Sequence, residues 1–355
     1  MERRNRKSKK RRILILLVAL FFTTIMFTTT TYAWFTANKT VKVNTLTVNV
    51  EAQNGIQISA DGTNWKSIVQ TTDLTTVHNS TYATSTNQIP ASLEPVSTAG
   101  LLDSSGKMEM WFGVVGAEAT GQHAGEYILT ATKSTEAEGS SGKFIAFDIF
   151  LKVDAATDLY LTTNSGVRTT DATDTGIKNA SRIAFVYLGD VPSGTGLSTI
   201  QGLNQSSWDD PATTDVTETL DRRHVYIWEP NYDVHTAAAV THAHDTYNAT
   251  TTEGPNATQL AYAGVKAAIA DTDHVYVQVS SPTAYTTSYS TKFANVSPSY
   301  STKEGFSTKQ QIFSLNAGVS KIRVYMWIEG QDVDCENSAS NGTITFDLEF
   351  TTESD

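Results

Sequence analysis

The sequence has a single cysteine, Cys335, and only 8 prolines among 355 residues. One cysteine cannot form an internal disulfide, so the hydrophobic core must hold the fold, and a chain of this length can build one. A lone thiol can link two chains or react with a ligand. A small, partly buried side chain near a loop is the simpler interpretation of Cys335.

Catalytic motifs and basic surface are also missing. The chain has no Gly-x-Ser-x-Gly elbow, no His-Glu-x-x-His segment, no glycine-rich phosphate loop before a helix and no dinucleotide fingerprint. Residues 1–33 carry eight of the 26 basic and one of the 37 acidic side chains, so the remainder holds 18 against 36, a formal net charge near −18. Such a charge disfavours nucleic acid and anionic lipid as partners. We expect a non-enzymatic protein without cofactors.

The longest hydrophobic run lies near the start of the chain. Eight Lys and Arg residues within residues 1–12 precede the apolar residues 13–27, and a small residue, Ala33, follows a threonine-rich stretch. This order is typical of a secretory signal, and the positive-inside rule places the rest of the chain outside the cell. An uncleaved anchor is the alternative, because the run approaches the roughly 20 residues that span a bilayer. Residues 34–355 are therefore predicted to be secreted or at the cell surface.

What the sequence has in abundance is Thr, Ser, Asn, Gly and Tyr, with short apolar segments between polar turns. Alternation of apolar and polar residues indicates strands. It predicts them at residues 41–50, 55–59, 143–153, 159–161, 183–188, 225–228, 311–315, 322–329 and 343–350. The many short strands predict an all-β, antiparallel β-sandwich.

A threonine-rich stretch at about 191–302 differs from the remainder, and we interpret it as a loop-rich insertion rather than a separate domain. Its alanine-rich residues 260–270 place Leu260, Ala263, Gly264 and Ala267 on one helical face. This spacing predicts one short helix in the insertion.

Two groups of side chains are weak candidates for metal ligands. His242 and His244 are two residues apart, close to His235, so in a strand they would face the same way. Asp233 or Asp245 would complete that zinc set. Exposed histidines in a loop are the simpler interpretation, and we expect no metal there.

Acidic residues alternate in a turn near the end of the chain. Asp332, Asp334 and Glu336 present oxygens at a spacing that can hold calcium, although they do not match the twelve-residue helix-loop-helix pattern. A solvated acidic turn without a metal is the simpler interpretation.

Several segments are similar to a known family. Residues 31–36, Thr-Tyr-Ala-Trp-Phe-Thr, followed by the strand segment 43–50, resemble the start of the TasA/camelysin-type exported proteins of Gram-positive bacteria. Segments 143–152, 227–231, 321–330 and 342–350 look like parts of other exported proteins with this signal type. The resemblance implies cleavage between Ala33 and Trp34 and a jelly-roll sandwich. The chain is considerably longer than the small matrix proteins, chiefly through residues 191–302.

The resemblance also implies a role in a biofilm matrix, where subunits form fibres by donating an N-terminal strand. The apolar residues of that strand would fill a neighbour's sheet edge, with a register slip near residues 44 and 45. The predicted donor residues are Val41, Val43, Leu46, Val48 and Val50. The resemblance therefore predicts other copies of this chain as partners, together with cell-wall or matrix components.

Three alternatives stay open. The N-terminal strand can pair within its own subunit. The chain can also be a monomeric, membrane-tethered adhesin or carbohydrate-binding sandwich, with Trp65, Trp208 or Tyr232 stacking on sugars. Camelysin-type members have been classed as metallopeptidases, but the sequence contains no zinc motif that supports this activity.

Overall fold

The computed structural model describes residues 40–50, 55–77, 80–85, 87–103, 105–117, 124, 127–137, 139–169, 171–173, 175–204, 225–231, 235–237, 239, 263–275, 291–302, 305–332, 334–335 and 341–354. These residues belong to one compact unit, Tyr32–Asp355. Residues 13–33 and the predicted cleavage residues Ala33 and Trp34 lie outside the described residues. Within the described part, no helix has the length and apolar character needed to cross a bilayer.

The strands form two large sheets, one small sheet and one hairpin. Sheet A contains β1 (Val41–Val50), β3 (Ile68–Gln70), β4 (Ser92–Leu93), β9 (Thr157–Leu161), β10 (Gly166–Thr169), β16 (Gln310–Leu315) and β18 (Thr343–Thr351). Sheet B contains β2 (Gln57–Ser59), β8 (Ile145–Val153), β11 (Ser181–Val191), β12 (Val225–Glu229), β15 (Tyr300–Ser301) and β17 (Gly318–Ile328). Sheet C contains β5 (Val96–Ser97), β6 (Met110–Ala117) and β7 (Tyr127–Ser134), and the hairpin is β13 (Ala263–Val265) with β14 (Phe293–Asn295).

Helical structure is sparse. Among the described residues, the α-helices with complete bounds are α1 (Thr71–Thr76) and α2 (Leu197–Gln201), and 3-10 helices occur at Ile177–Ala180 and Asp271–Asp273. Helix α2 lies in the region of residues 191–302 but outside the predicted helix at residues 260–270.

The chain alternates between the two large sheets. Strand β1 lies in sheet A, β2 in sheet B and β3 in sheet A, and the last three strands, β16, β17 and β18, alternate in the same way. Sheet A runs β16-β9-β18-β1-β3 and sheet B runs β15-β12-β11-β17-β8-β2. The protein is therefore an all-β, jelly-roll-like sandwich of mainly antiparallel sheets, which confirms the predicted fold class.

Alternation of side chains explains why the sheets pack. In β1 the apolar Leu46, Val48 and Val50 point inward and are buried, while the residues between them are partly exposed. They pack in one core with the inward residues of sheet B, including Phe147 of β8 and Phe185 of β11. Burial of each such side chain contributes about 1.5–3 kcal/mol. The long, continuously buried β8 fits its predicted central position.

Sheet B is buried on both faces. Its outer face carries Phe144, Ala184, Val186 and Trp327, which pack against Met110 of sheet C. Sheet C in turn packs against the β13–β14 hairpin through a smaller cluster that includes Trp111, Leu129, Val265 and Phe293. Sheets A, B and C are thus three layers, and β13 and β14 pack against sheet C.

Another part of the outer face of sheet B is charged. Arg323 of β17 lies opposite Asp148 of β8, and its Nε donates to Asp148 Oδ1 at 2.6 Å. The Lys321 ammonium lies 3.2 Å from Asp148 Oδ2, and the Tyr82 hydroxyl donates to the same oxygen at 2.8 Å. Glu136 accepts from Arg323 Nη1 at 2.8 Å. These groups are buried, so each charge depends on its partners for stabilisation.

Strand β1 lies inside sheet A. It pairs in parallel with β18, from Lys42 opposite Thr343 to Val50 opposite Phe350, and antiparallel with β3 and β4 on its other side. A register shift between Val43 and Thr45 confirms the predicted slip.

The helix predicted at residues 260–270 is wrong over its described part. Residues Ala263–Val265 form β13 instead, and Asp271–Asp273 form a 3-10 helix. The backbone of β13 passes so close to sheet C that a Cβ on Gly264 would lie 1.9 Å from the Thr98 carbonyl oxygen. Val265 and Ile269 are buried there. This packing outweighs the weak helix propensity of the alanines. Strands β12 and β15 of the same region complete sheet B.

Candidate metal centre

Three strand ends meet at one edge of sheet B. Strand β11 begins at Ser181, which lies opposite Ile328 at the end of β17. Strand β12 pairs antiparallel with β11, with Trp228 opposite Ile183, so that Glu229 also lies at this edge. The chain segments that enter or leave these strands therefore converge, although they are far apart in sequence.

Two consecutive turns follow β17. The Glu329 carbonyl accepts from the Asp332 amide at 3.1 Å, and the Asp332 carbonyl accepts from the Cys335 amide at 3.0 Å. Asp332 Oδ1 also accepts from the Asp334 amide at 2.8 Å, as aspartate commonly does in turns. The alternating acidic residues thus shape this turn, which buries Asp332, Asp334 and Cys335.

The turn places two carboxylates beside a histidine from the segment after β12. His235 Nδ1 lies 2.6 Å from Asp334 Oδ2, and one ligand atom from each of His235, Asp332 and Asp334 lies within 4.8 Å of the others. Their exposed fractions are 7%, 4% and 2%. An imidazole and two carboxylates in this arrangement can hold a metal ion.

The guanidinium of Arg182 binds two carboxylates, those of Glu229 and Asp332. Its Nη2 lies 2.5 Å from Glu229 Oε1 and 2.5 Å from Asp332 Oδ2, while Nη1 donates to the carbonyls of Asn179 and Ser181 at 2.9 and 3.0 Å. The guanidinium is buried, so it compensates these carboxylates without competition from solvent.

Burial and neighbouring charges shift the pKa values of three ionisable groups at this site, Glu329, Asp334 and His235. Burial raises the pKa of Glu329 to about 7, against hydrogen bonds that include one from Trp327 Nε1. Burial and the charge of Asp332 raise the pKa of Asp334, although its hydrogen bond with His235 opposes the change. Burial lowers the pKa of His235, but the hydrogen bond to Asp334 and the charges of Asp332 and Asp334 together outweigh burial, so the pKa lies above its ordinary value.

Gly176 lies against the side chains of Thr236 and Asp334. Its φ of +85° is left-handed, and a Cβ there would lie 2.5 Å from Thr236 Cγ2, 3.0 Å from Asp334 Oδ1 and 3.6 Å from Asn179 Nδ2. Only glycine fits this conformation and this close approach without strain. Asn179 is buried.

We expect Gly176→Ala to lower the free energy of unfolding by about 2–3 kcal/mol, because strain and a collision with Thr236 combine. Urea denaturation measures the loss. The matched control is Gly194→Ala, where φ is +91° but no atom lies within 4 Å of the added Cβ. That variant should lose only about 1 kcal/mol. Equal losses would show that the close approach at Gly176 contributes nothing.

The predicted site residues have different outcomes. Asp332 and Asp334 do lie close together, and His235 joins them. They are buried, so the predicted solvated acidic turn is wrong for these two residues. His242 and His244 lie outside the described residues. In the predicted donor strand Val41, Leu46, Val48 and Val50 are buried and Val43 packs against the same core.

Sequence analysis did not identify Arg182, Glu229 or Gly176 as part of a site. The Trp-Glu-Pro-Asn segment that contains Glu229 was noted only for its family resemblance. An arginine at the start of a strand carries no local sign of a buried partner, so only the pairing of β11 with β12 and β17 reveals the cluster.

The aromatic residues considered for sugar binding offer little support for that role. Trp65 is partly buried against the core, and Lys152 Nζ lies 5.8 Å from its ring centroid. Trp208 and Tyr232 lie outside the described residues. A cavity of about 270 Å³ nearby is lined by Asp61, whose carboxylate already accepts from Ser59 Oγ and from the amides of residues 63 and 64.

No protein-family model, curated protein or solved structure matches the chain. The similarity to the TasA/camelysin-type proteins therefore stays a prediction from short segments.

Proposed function

We propose that the protein is a non-enzymatic, extracellular structural protein whose subunits assemble by exchanging β1. The observation that carries this proposal is the position of β1: it is the first strand of the sandwich, yet it occupies the interior of sheet A between β18 and the strands β3 and β4. An element at one end of a chain that fills an interior position can be replaced by the same element from a neighbour.

The contacts of β1 explain why such an exchange would be stable. Val41, Leu46, Val48 and Val50 are buried in the main core, a contribution on the order of 6–12 kcal/mol in total. Removing β1 would leave unpaired backbone groups on β18 and on β3, and an open sheet edge readily accepts another strand. A neighbour's β1 would make these same contacts. The free-energy cost of exchange is therefore little more than the entropy lost when two chains associate.

The ends of β1 suit exchange in different ways. Cleavage at the predicted site would leave seven residues, 34–40, before Val41, so no domain would precede the strand. On the other side, residues 51–56 connect β1 to β2, which lies in sheet B. Donation from each subunit to the next in one direction gives an open filament, since this head-to-tail contact does not close on itself.

A disulfide between β1 and β18 distinguishes exchange from pairing within one chain. Thr45 Oγ1 and Thr345 Oγ1 lie 3.3 Å apart on the solvent-facing side of sheet A. We expect the double variant Thr45→Cys with Thr345→Cys, oxidised after assembly, to give covalent multimers on a non-reducing denaturing gel. Each disulfide would then join two chains.

The single variants Thr45→Cys and Thr345→Cys are the controls, because neither has the opposite thiol and neither should give a ladder. Monomers alone from the oxidised double variant, whether or not electron microscopy shows filaments, would mean that β1 pairs within its own chain. Exchange would then be wrong.

A further inference from the structure

Among the described residues, the cluster at the edge of sheet B holds more carboxyl groups than cationic groups. Four carboxylates, those of Glu229, Glu329, Asp332 and Asp334, are buried there around one guanidinium, that of Arg182. His235 is the other cationic candidate at this position. Buried carboxylates are costly unless cations and hydrogen bonds compensate them.

Buried neutral oxygens next to the cluster have no partner of their own. Asn179 Oδ1 and Ser181 Oγ have no hydrogen-bond partner among the described residues, and the two residues are 4% and 0% exposed. Buried polar atoms of this kind are rare in proteins and call for a missing ligand or water. Asn179 adjoins the cluster through Arg182, whose Nη1 donates to the Asn179 carbonyl at 2.9 Å while its Nη2 binds Asp332. A residue with a buried side-chain oxygen that lacks a partner among the described residues therefore shares Arg182 with the cluster.

We propose that His235, Asp332 and Asp334 bind one zinc ion, with the Asn179 amide as a neighbouring oxygen donor. Zinc bonds of about 2.0–2.2 Å at tetrahedral angles place ligand atoms about 3.3 Å apart. The ligand atoms of the three residues, which lie within 4.8 Å of one another, reach that spacing by small side-chain rotations. The carboxylate oxygens have further lone pairs, so the bonds from Arg182 and from the Asp334 amide do not exclude a metal.

The donor set favours zinc over calcium and a structural over a catalytic role. Calcium takes six to eight oxygen ligands, whereas an imidazole nitrogen suits zinc and related transition metals. The three ligand residues are buried, so the ion would be enclosed by protein rather than open to a substrate. The ion would tie the segment after β12 to the turn after β17. This site does not depend on strand exchange.

Isothermal titration of the full chain, treated with chelator and dialysed, tests the proposal with zinc chloride as the probe. We expect one zinc ion per chain and a higher Tm with zinc. We expect His235→Ala and Asp334→Asn each to weaken zinc binding by at least about 100-fold. Circular dichroism of each variant establishes that it is folded. The matched control is His274→Asn, since His274 lies in the 3-10 turn before Val275 with φ +47°, a conformation that asparagine tolerates.

The double variant His242→Ala with His244→Ala separates this site from the other histidine pair. Binding that is lost in this double variant but kept in folded Asp334→Asn would overturn the proposal, and so would the absence of zinc binding. Preference for calcium over zinc would also overturn it.

If the ligand variants do not fold, X-ray absorption at the zinc edge of the wild-type complex decides the matter. One imidazole with oxygen donors supports the site, and two or more imidazoles contradict it.

Discussion

Replacing Asp148 with asparagine is expected to lower the free energy of unfolding by about 3–5 kcal/mol at neutral pH. The substitution keeps the shape of the side chain but removes the charge that faces Arg323 and Lys321 across β8 and β17. Both cations would stay buried, with Glu136 as the carboxylate left to bind Arg323. An uncompensated buried charge is among the largest single-residue penalties in a folded protein.

The loss should depend on pH in a defined direction. Burial raises the pKa of Asp148, but the charges of Arg323 and Lys321 and the hydrogen bonds from Arg323 and Tyr82 together hold the pKa well below the ordinary 3.8. The carboxylate therefore contributes stability above about pH 4, and that contribution is lost as the pH falls through its folded pKa. The difference between wild type and Asp148→Asn should be largest near pH 7 and should shrink below pH 4.

Urea denaturation at several pH values measures this difference. The matched control is Asp158→Asn on β9, since Asp158 is only partly buried and accepts a hydrogen bond from Ser314 at 2.7 Å. We expect the control to lose less than about 1 kcal/mol. A loss at Asp148 that is no larger, or that does not vary with pH, would mean that the buried ions contribute little.

Replacing Arg182 with leucine should be equally severe, at about 3–5 kcal/mol. Glu229 and Asp332 would lose their shared guanidinium, and the carbonyls of Asn179 and Ser181 would lose a donor. The leucine can replace part of the buried volume but none of these bonds.

Arg168→Leu is the natural control for this change. Arg168 lies 2.7 Å from Asp347, but its side chain is 51% exposed, and exposed ion pairs are worth about 0–1 kcal/mol. Chemical denaturation of both variants should separate them by at least about 2 kcal/mol. If zinc binds as proposed, it should raise the Tm of Arg182→Leu more than that of wild type, because one competing positive charge is gone. Similar stability of the two variants would contradict the role assigned to Arg182.

The sequence predicted the large sheets well because their signal is local. Alternation in residues 41–50 and 343–350 predicts β1 and β18, and the structure confirms both. Strand β6 of sheet C was not predicted, since Gly113 and Gly116 interrupt its apolar run. Residues 260–270 were mispredicted because their backbone packs against Thr98, a contact that alanine content cannot reveal.

The buried charges show a different limit. In Lys321–Ile328 polar and apolar residues alternate at the start, as in a half-exposed strand, yet both faces of β17 are buried. The carboxylate that compensates Arg323 belongs to Asp148, which lies 175 positions earlier, so the local sequence cannot reveal this pair. In the candidate site, sequence identified Asp332 and Asp334 but could not assign His235 to them, because this contact follows from the pairing order of sheet B.

The parallel pairing of β1 with β18 has a kinetic consequence. Thr45 and its partner Thr345 are 300 positions apart, so the first strand to be synthesised must wait for the last before its own sheet can close. Long-range pairing of this kind slows folding and leaves β1 unpaired until β18 reaches it. During that interval β1 can pair with sheet A of a neighbouring subunit in which the position between β18 and β3 is open. The time that β18 of the same chain takes to pair with β1 would then influence whether a chain closes on itself or joins another.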